Sequence, residues 1–147
     1  MPKPVSPIVG ADCFVVNSRE QVCLIRRADN GLWALPGGCQ DLGETPAQCA
    51  VREFREETGL DVRLVALLGV FSSQLYEYVT YPYKENEFCH LLFKAELLGG
   101  TETLSEETTD IGWFSEGSLP EISDGHLPRI RFGFESMRNP LQKPHFE

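Results

Sequence analysis

The sequence predicts an α/β domain in which a mixed β-sheet lies between helices. Three observations predict it. Short apolar runs of strand length interleave with segments of helical periodicity. Some of the gaps between runs hold a helix, as crossovers between parallel strands do, while others are short enough for hairpins. Residues 45–60 also carry defined start and stop signals for a helix.

Taken in order, residues 1–7 hold three prolines and read as an extended lead-in. Residues 8–16 are almost continuously apolar, which suits a strand covered on both faces. Asn17 and Ser18 read as a turn, and residues 21–27, QVCLIRR, as a second strand ending in Arg26 and Arg27. A loop follows, ADNGLWALPGGCQDLGE, with four glycines and one proline. Thr45 and Gln48 then form a capping-box pair with Pro46 at the first helical position, and Gly59 followed by Leu60 fits a left-handed stop. A helix over 46–58 is therefore predicted, with Ala47, Ala50, Val51 and Phe54 as its core stripe.

Residues 62–70 read as a strand that 74–79 either continues or pairs with. Residues 88–97 are another strand. Its odd positions are apolar and its even positions include His90, Lys94 and Glu96, so one face is expected to be polar. After a polar loop at 99–110, residues 111–114 read as a short strand and 115–119 as a helical turn. Leu127, Ile130, Phe134, Met137 and Leu141 recur at helical spacing, predicting a last helix over 128–138 and a tail at 140–147.

The 147 residues fit one domain, and 41% hydrophobic with 24% charged residues is ordinary for a globular chain. Thirteen Lys and Arg against 22 Asp and Glu give a net charge of −9, which argues against a general nucleic-acid or anionic-membrane binder. A small phosphorylated ligand stays compatible if a metal cation stands between the negative partners. The five cysteines, Cys13, Cys23, Cys39, Cys49 and Cys89, are odd in number and lack a CxxC pair, so reduced thiols are expected. The first residues lack a signal peptide's apolar core, and the longest apolar run, LVALLGVF, is too short to span a bilayer. A cytoplasmic location is expected.

The segment Arg52 to Leu60, REFREETGL, places Glu53, Glu56 and Glu57 at i, i+3 and i+4 of the predicted helix, on an arc of about 100°. Like charges at that spacing repel. One reading is a solvated face softened by Arg52 and Arg55. The other is a metal site: three carboxylates beside a glycine-rich loop, LPGG, offer the oxygen donors that hard divalent cations prefer. The second reading is preferred because binding a cation offsets the repulsion.

Gly38, five residues, Glu44, seven residues, and then Arg52-Glu53-Phe54-Arg55-Glu56-Glu57-Thr58-Gly59-Leu60 resemble the Nudix box of Nudix hydrolases, with every fixed position matched. WALPGG at 33–38 is similar to the strand leading into that box, and DIGWF at 110–114 to a late strand of the family. The resemblance implies a single Nudix domain over 1–147, built as an α/β/α sandwich with a mixed β-sheet. It implies Mg²⁺- or Mn²⁺-dependent hydrolysis of a nucleoside diphosphate linked to another moiety, X.

Carried over by position, Glu53, Glu56 and Glu57 would bind metal together with the Gly37 carbonyl. Arg52 would orient the carboxylates and Glu44 would hold the loop to the helix, with Gly38 and Gly59 structural. The chemistry also needs a carboxylate to take a proton from water, for which Glu53 is the candidate, the family having no single invariant base. Glu106 and Glu107 are candidates for a further metal carboxylate, with Glu107 preferred. Arg26, Arg27 and Tyr78 are candidates for substrate contact. Trp33 is read as packing and His90 as an ordinary strand histidine. The expected partner is a small nucleotide, not nucleic acid or membrane, and a homodimer is allowed. A sugar nucleotide such as ADP-ribose leads as substrate. The alternatives are a nucleoside triphosphate and, in another class, a non-catalytic nucleotide sensor or a protein-interaction module.

Overall fold

The computed structural model describes residues 6–76 and 87–147. The chain runs β1 (Ile8–Phe14), β2 (Val22–Arg27), β3 (Trp33–Ala34), β4 (Gly37–Cys39), α1 (Pro46–Thr58), β5 (Leu60–Ser72), β6 (Phe88–Gly100), β7 (Thr108–Phe114) and α2 (His126–Arg138), with single 3₁₀ turns at Ser73–Leu75 and Glu116–Ser118. Two sheets form. The larger has the order β4-β1-β6-β5 and is mixed, because β1 and β6 are parallel while β4 and β5 pair antiparallel. The smaller, β3-β2-β7, is antiparallel throughout and was not foreseen.

Helix α1 begins and ends where its sequence signals place it. Thr45 accepts from the Gln48 amide, and Gln48 accepts in return from the Thr45 amide, closing the capping box. Gly59 stops the helix at φ 76°, a left-handed conformation that costs a residue without Cβ little. The core stripe needs one correction. Ala47 is exposed, and Cys49 takes its place beside Ala50 and Phe54.

The two helices cover opposite faces of the strands. Cys49, Ala50 and Phe54 of α1 pack against Ala11, Cys13, Val62 and Ala95. Ile130 and Phe134 of α2 pack against Phe14, Leu24, Phe71 and Leu92. Each fully buried Val, Leu, Ile or Phe side chain among these stabilises the fold by roughly 1.5–3 kcal/mol. The result is an α/β/α sandwich.

This layering corrects the reading of β6. Its even positions Phe88, His90 and Leu92 are buried, and polarity on that face begins only at Lys94. A strand covered on both sides cannot show simple alternation. Trp33 packs edge-on against Phe114, at 4.9 Å between ring centroids. All five cysteines are free thiols. Of the segment 74–79, Ser73–Leu75 forms a 3₁₀ turn instead of a strand, and the rest beyond 76 lies outside the described residues. Residues 140–147 return to β5: the His145 amide and carbonyl bond Leu68 and Val70, and its ring stacks on Phe71 at 4.4 Å.

Candidate active site

The register of β1 with β4 brings Gly37 opposite Asp12 and Gly38 opposite Ala11. The close approach matters at Gly38, where a Cβ would sit 2.5 Å from the Glu53 carboxyl carbon. Glycine therefore lets the loop backbone lie directly on the acidic face of α1. The Gly37 amide donates to Glu57 Oε1 at 2.9 Å.

The three glutamates differ in depth. Glu57 is buried, Glu53 is half-buried and Glu56 is exposed. Burial pushes the Glu57 carboxyl well above the usual carboxylate range. The Gly37 hydrogen bond opposes that rise, while the charges of Glu53, Asp12 and Glu107 add to it. Glu53 is raised too, first by burial, against the pull of Arg52. Glu107 acts on both carboxylates from the loop before β7, and that loop is tied down by the Ala28 amide donating to the Glu107 carbonyl. Glu106, Glu107, Glu53 and Glu57 all line one cavity.

Arg52 ties these groups together. Its Nε and Nη2 grip Glu44 at 2.9 and 2.7 Å in a bidentate fork. Its Nη1 donates to Glu53 at 2.9 Å and to Glu56 at 3.1 Å, and Nη2 also reaches the Cys39 carbonyl. The guanidinium holds Glu44 well below the usual carboxylate range, mainly by hydrogen bonding. Glu44 in turn accepts from the Asp41 amide, and the Asp41 carboxylate lies 3.5 Å from Arg52 Nη2, so the loop is fastened to the helix through the Arg52 guanidinium. With Arg52 spanning Glu53 and Glu56, no three acidic, His or Cys side chains already stand in a metal-holding array among the described residues.

Glu53 and Glu57, but not Glu44, Arg52 or Glu56, open onto a cavity of about 630 Å³, within the range of small-molecule sites. Its wall includes Gly37, Gly38, Glu53, Glu57, Glu106, Glu107, Arg27 and Asp29. Arg27 donates to Asp29 at 2.6–2.9 Å. Arg26 is not brought to the cavity: it is exposed and its Nε donates to the Gly31 carbonyl. Tyr78 lies outside the described residues, and Tyr76 donates to Glu147 at 3.0 Å.

Sequence reasoning missed the far end of this cavity. His126 and Phe88 line it, and His90, read as an ordinary strand histidine, lines it too; Asp12, missed as well, lines the wall beside Gly37. Behind them Arg129, only 1% exposed, pairs with Asp12 at 2.8 Å. One signal was available: Asp12 is the single charged residue in an otherwise apolar strand.

Comparison with known proteins identifies the family. A family model for the NUDIX domain matches residues 6–132. The chain is 36% identical over 111 residues to a putative 8-oxo-dGTP diphosphatase of Bacillus subtilis, covering 76% of this chain and 68% of that one. It is 30% identical over 130 residues to an ADP-ribose pyrophosphatase of Methanocaldococcus jannaschii, covering 85% and 72%. The crystal structure of an ADP-ribose pyrophosphatase from Streptococcus suis 89-1591 superposes with a TM-score of 0.82 at 24% identity, covering 97% of this chain and all of that one. The chain belongs to the NUDIX domain family. It is a Nudix hydrolase, of the class whose named relatives are nucleotide pyrophosphatases. No helix among the described residues is long and apolar enough to cross a membrane.

Proposed function

We propose that this chain is an Mg²⁺- or Mn²⁺-dependent pyrophosphohydrolase acting on a nucleoside diphosphate linked to a second moiety, with ADP-ribose as the leading substrate. The observation that carries the reading is the buried Glu57 carboxyl, set beside Glu53 and Glu107 in the wall of a nucleotide-sized cavity. Burial and mutual repulsion press on these carboxylates, with Arg52 offsetting only part of the charge at Glu53, and the carboxylate and carbonyl oxygens gathered here are hard donors. That donor set fits a small divalent cation. Glu53, Glu56, Glu57, the Gly37 carbonyl and Glu107 would hold it. Bound there, the cation supplies neutralisation of the pyrophosphate oxygens and acidification of water.

The chain's own residues supply the rest. Arg27, on the cavity wall and paired with Asp29, would meet substrate phosphate. Glu53, whose proton affinity is raised, would accept a proton from attacking water. Arg52 keeps Glu53 and Glu56 aimed along the helix and fastens the loop through Glu44. The products would be a nucleoside monophosphate and the phosphorylated second moiety.

A second reading, hydrolysis of a nucleoside triphosphate, is favoured by the resemblance to the relative named as an 8-oxo-dGTP diphosphatase. The net charge of −9 makes the more highly charged triphosphate the harder partner. Measuring kcat/KM over ADP-ribose, other sugar nucleotides, dinucleoside polyphosphates and natural and oxidised triphosphates separates the two. ADP-ribose cleaved to AMP and ribose 5-phosphate as the best substrate is expected. A triphosphate preferred by about 100-fold, with release of pyrophosphate, would overturn the substrate choice.

A further inference from the structure

The cavity that holds Glu53 and Glu57 continues past the glycine loop to a second group of side chains whose chemistry differs. Phe88, His90 and His126 line that end. His90 is 7% exposed, and among the described residues neither Nδ1 nor Nε2 has a hydrogen-bond partner. Buried polar side chains normally find one, so a ring with both nitrogens unused inside a ligand-sized cavity calls for a reason. Its position is fixed by flat contacts. The ring stacks on Phe88 at 5.4 Å and 8° between planes, and the residue pairs in register with Gly10 of β1.

Gly10 joins this end of the cavity to the acidic end. A Cβ placed on Gly10 would stand 2.8 Å from His90 Nδ1 and 3.7 Å from the Gly38 carbonyl oxygen. The space between the histidine and the loop over Glu53 is therefore left open by one missing side chain. A substrate with its pyrophosphate at Glu53 and Glu57 would reach His90 with what it carries beyond the phosphates.

His126 adds a second imidazole of defined tautomer. Its Nδ1 accepts from the Leu35 amide at 3.2 Å and lies 3.1 Å from Arg129 Nη2, which can only donate. The proton of that ring consequently sits on Nε2. We propose that His90, with His126 beside it, forms the specificity subsite of the enzyme, hydrogen-bonding a neutral polar group of the substrate, a sugar hydroxyl or a nucleobase edge. This rests on the hydrolase reading above.

The character of the surroundings selects a neutral group over a phosphate. Burial, reinforced by the Arg129 charge, lowers His90 to about 2, so its ring stays neutral and offers one donor and one acceptor. Burial and Arg129 hold His126 neutral as well. The Arg129 charge is already matched by Asp12. Arg27, whose charge also reaches His126, is paired with Asp29, so among the described residues both cations near the two rings already face a carboxylate. A hydroxyl, or a base edge carrying both a donor and an acceptor, matches a neutral imidazole, and the Phe88 ring adds an aromatic surface.

The test compares His90→Phe, which keeps a flat ring and removes both nitrogens, with His90→Asn, which restores a donor and an acceptor. Both are assayed on ADP-ribose with Mg²⁺, after circular dichroism has checked the fold. His90→Phe is expected to lose about 10- to 100-fold in kcat/KM, mainly through KM, and His90→Asn to recover most of it. Activity of His90→Phe equal to wild type, or an equal loss in both variants, would overturn the proposal, the latter by showing a packing role. Binding of AMP and of ribose 5-phosphate, measured separately, tells which half of the substrate the subsite holds.

A wild-type measurement stands apart from variant folding. In ¹⁵N-histidine-labelled protein, the His90 ring nitrogens should shift on saturation with one of these two ligands, and no shift with either overturns the proposal. If wild type instead cleaves dGTP and not ADP-ribose, the proposed function falls. The same variant comparison on dGTP, with dGMP as the NMR ligand, then decides the role of His90 by itself.

Discussion

Replacing Glu57 by Gln should stabilise the metal-free protein and nearly abolish its activity. Gln keeps the volume of the side chain and an oxygen to accept from the Gly37 amide, now 2.9 Å away. What it removes is a carboxyl whose pKa is raised well above 4.5 by burial and by the charges of Glu53, Asp12 and Glu107. The sign follows from proton linkage. With the folded-state value above the unfolded one, the stability that Glu57 contributes is complete below about pH 4.5. It is lost as the pH rises through the folded value.

Each unit of elevation corresponds to about 1.4 kcal/mol. Glu57→Gln is therefore expected to melt higher than wild type at pH 8, by about 2–4 °C for each kcal/mol of strain relieved in a domain of this size. At pH 4.5–5 most of that gap should close. Thermal denaturation by circular dichroism in EDTA at the two pH values is the assay, and comparing the two proteins cancels the other titrating groups to first order. In the same variant, turnover with Mg²⁺ should fall about 10²-fold or more. A Glu57→Gln protein that melts below wild type at pH 8, or whose gap is the same at both pH values, would refute the account of this carboxyl.

Other predictions probe the parts that hold the site. Arg52→Lys keeps the charge but loses the fork on Glu44, so kcat should fall about 10- to 100-fold with a lower melting temperature, read by kinetics and calorimetry. Gly38→Ala puts a methyl group 2.5 Å from the Glu53 carboxyl carbon, and because a side chain is what must yield, the fold should survive while activity drops about 10²-fold. Thr45→Ala removes the capping box and should cost about 1 kcal/mol in urea unfolding, with kcat unchanged.

Local signals were the legible ones. Helix α1 could be bounded from sequence because Thr45, Pro46, Gln48 and Gly59 act on backbone groups within a few residues of themselves. The acidic face was legible for the same reason, since helical spacing fixes which side chains share a side. Depth was not: spacing cannot tell that Glu57 is buried and Glu56 exposed, because that depends on where the β4 loop lands. The pairing of Asp12 with Arg129 joins the first strand to the last helix, and nothing near either residue announces it. His90 was misjudged on strand alternation, which fails when α2 and the cavity cover the face expected to be polar. The small β3-β2-β7 sheet escaped notice because β3 is two residues long and is recognised only through its partners.

The central claim is that the acidic face of α1, closed by the glycine loop, is a divalent-metal site. Titrating Mn²⁺ into the protein and following the electron paramagnetic resonance signal of the free ion tests it most directly, without reference to any substrate. Wild type should remove at least one equivalent of Mn²⁺ from solution at millimolar concentrations or below, EDTA should return it, and Glu53→Gln and Glu57→Gln should each bind at least about 10-fold more weakly. No uptake by the wild type, or uptake unchanged in Glu57→Gln, would contradict the assignment.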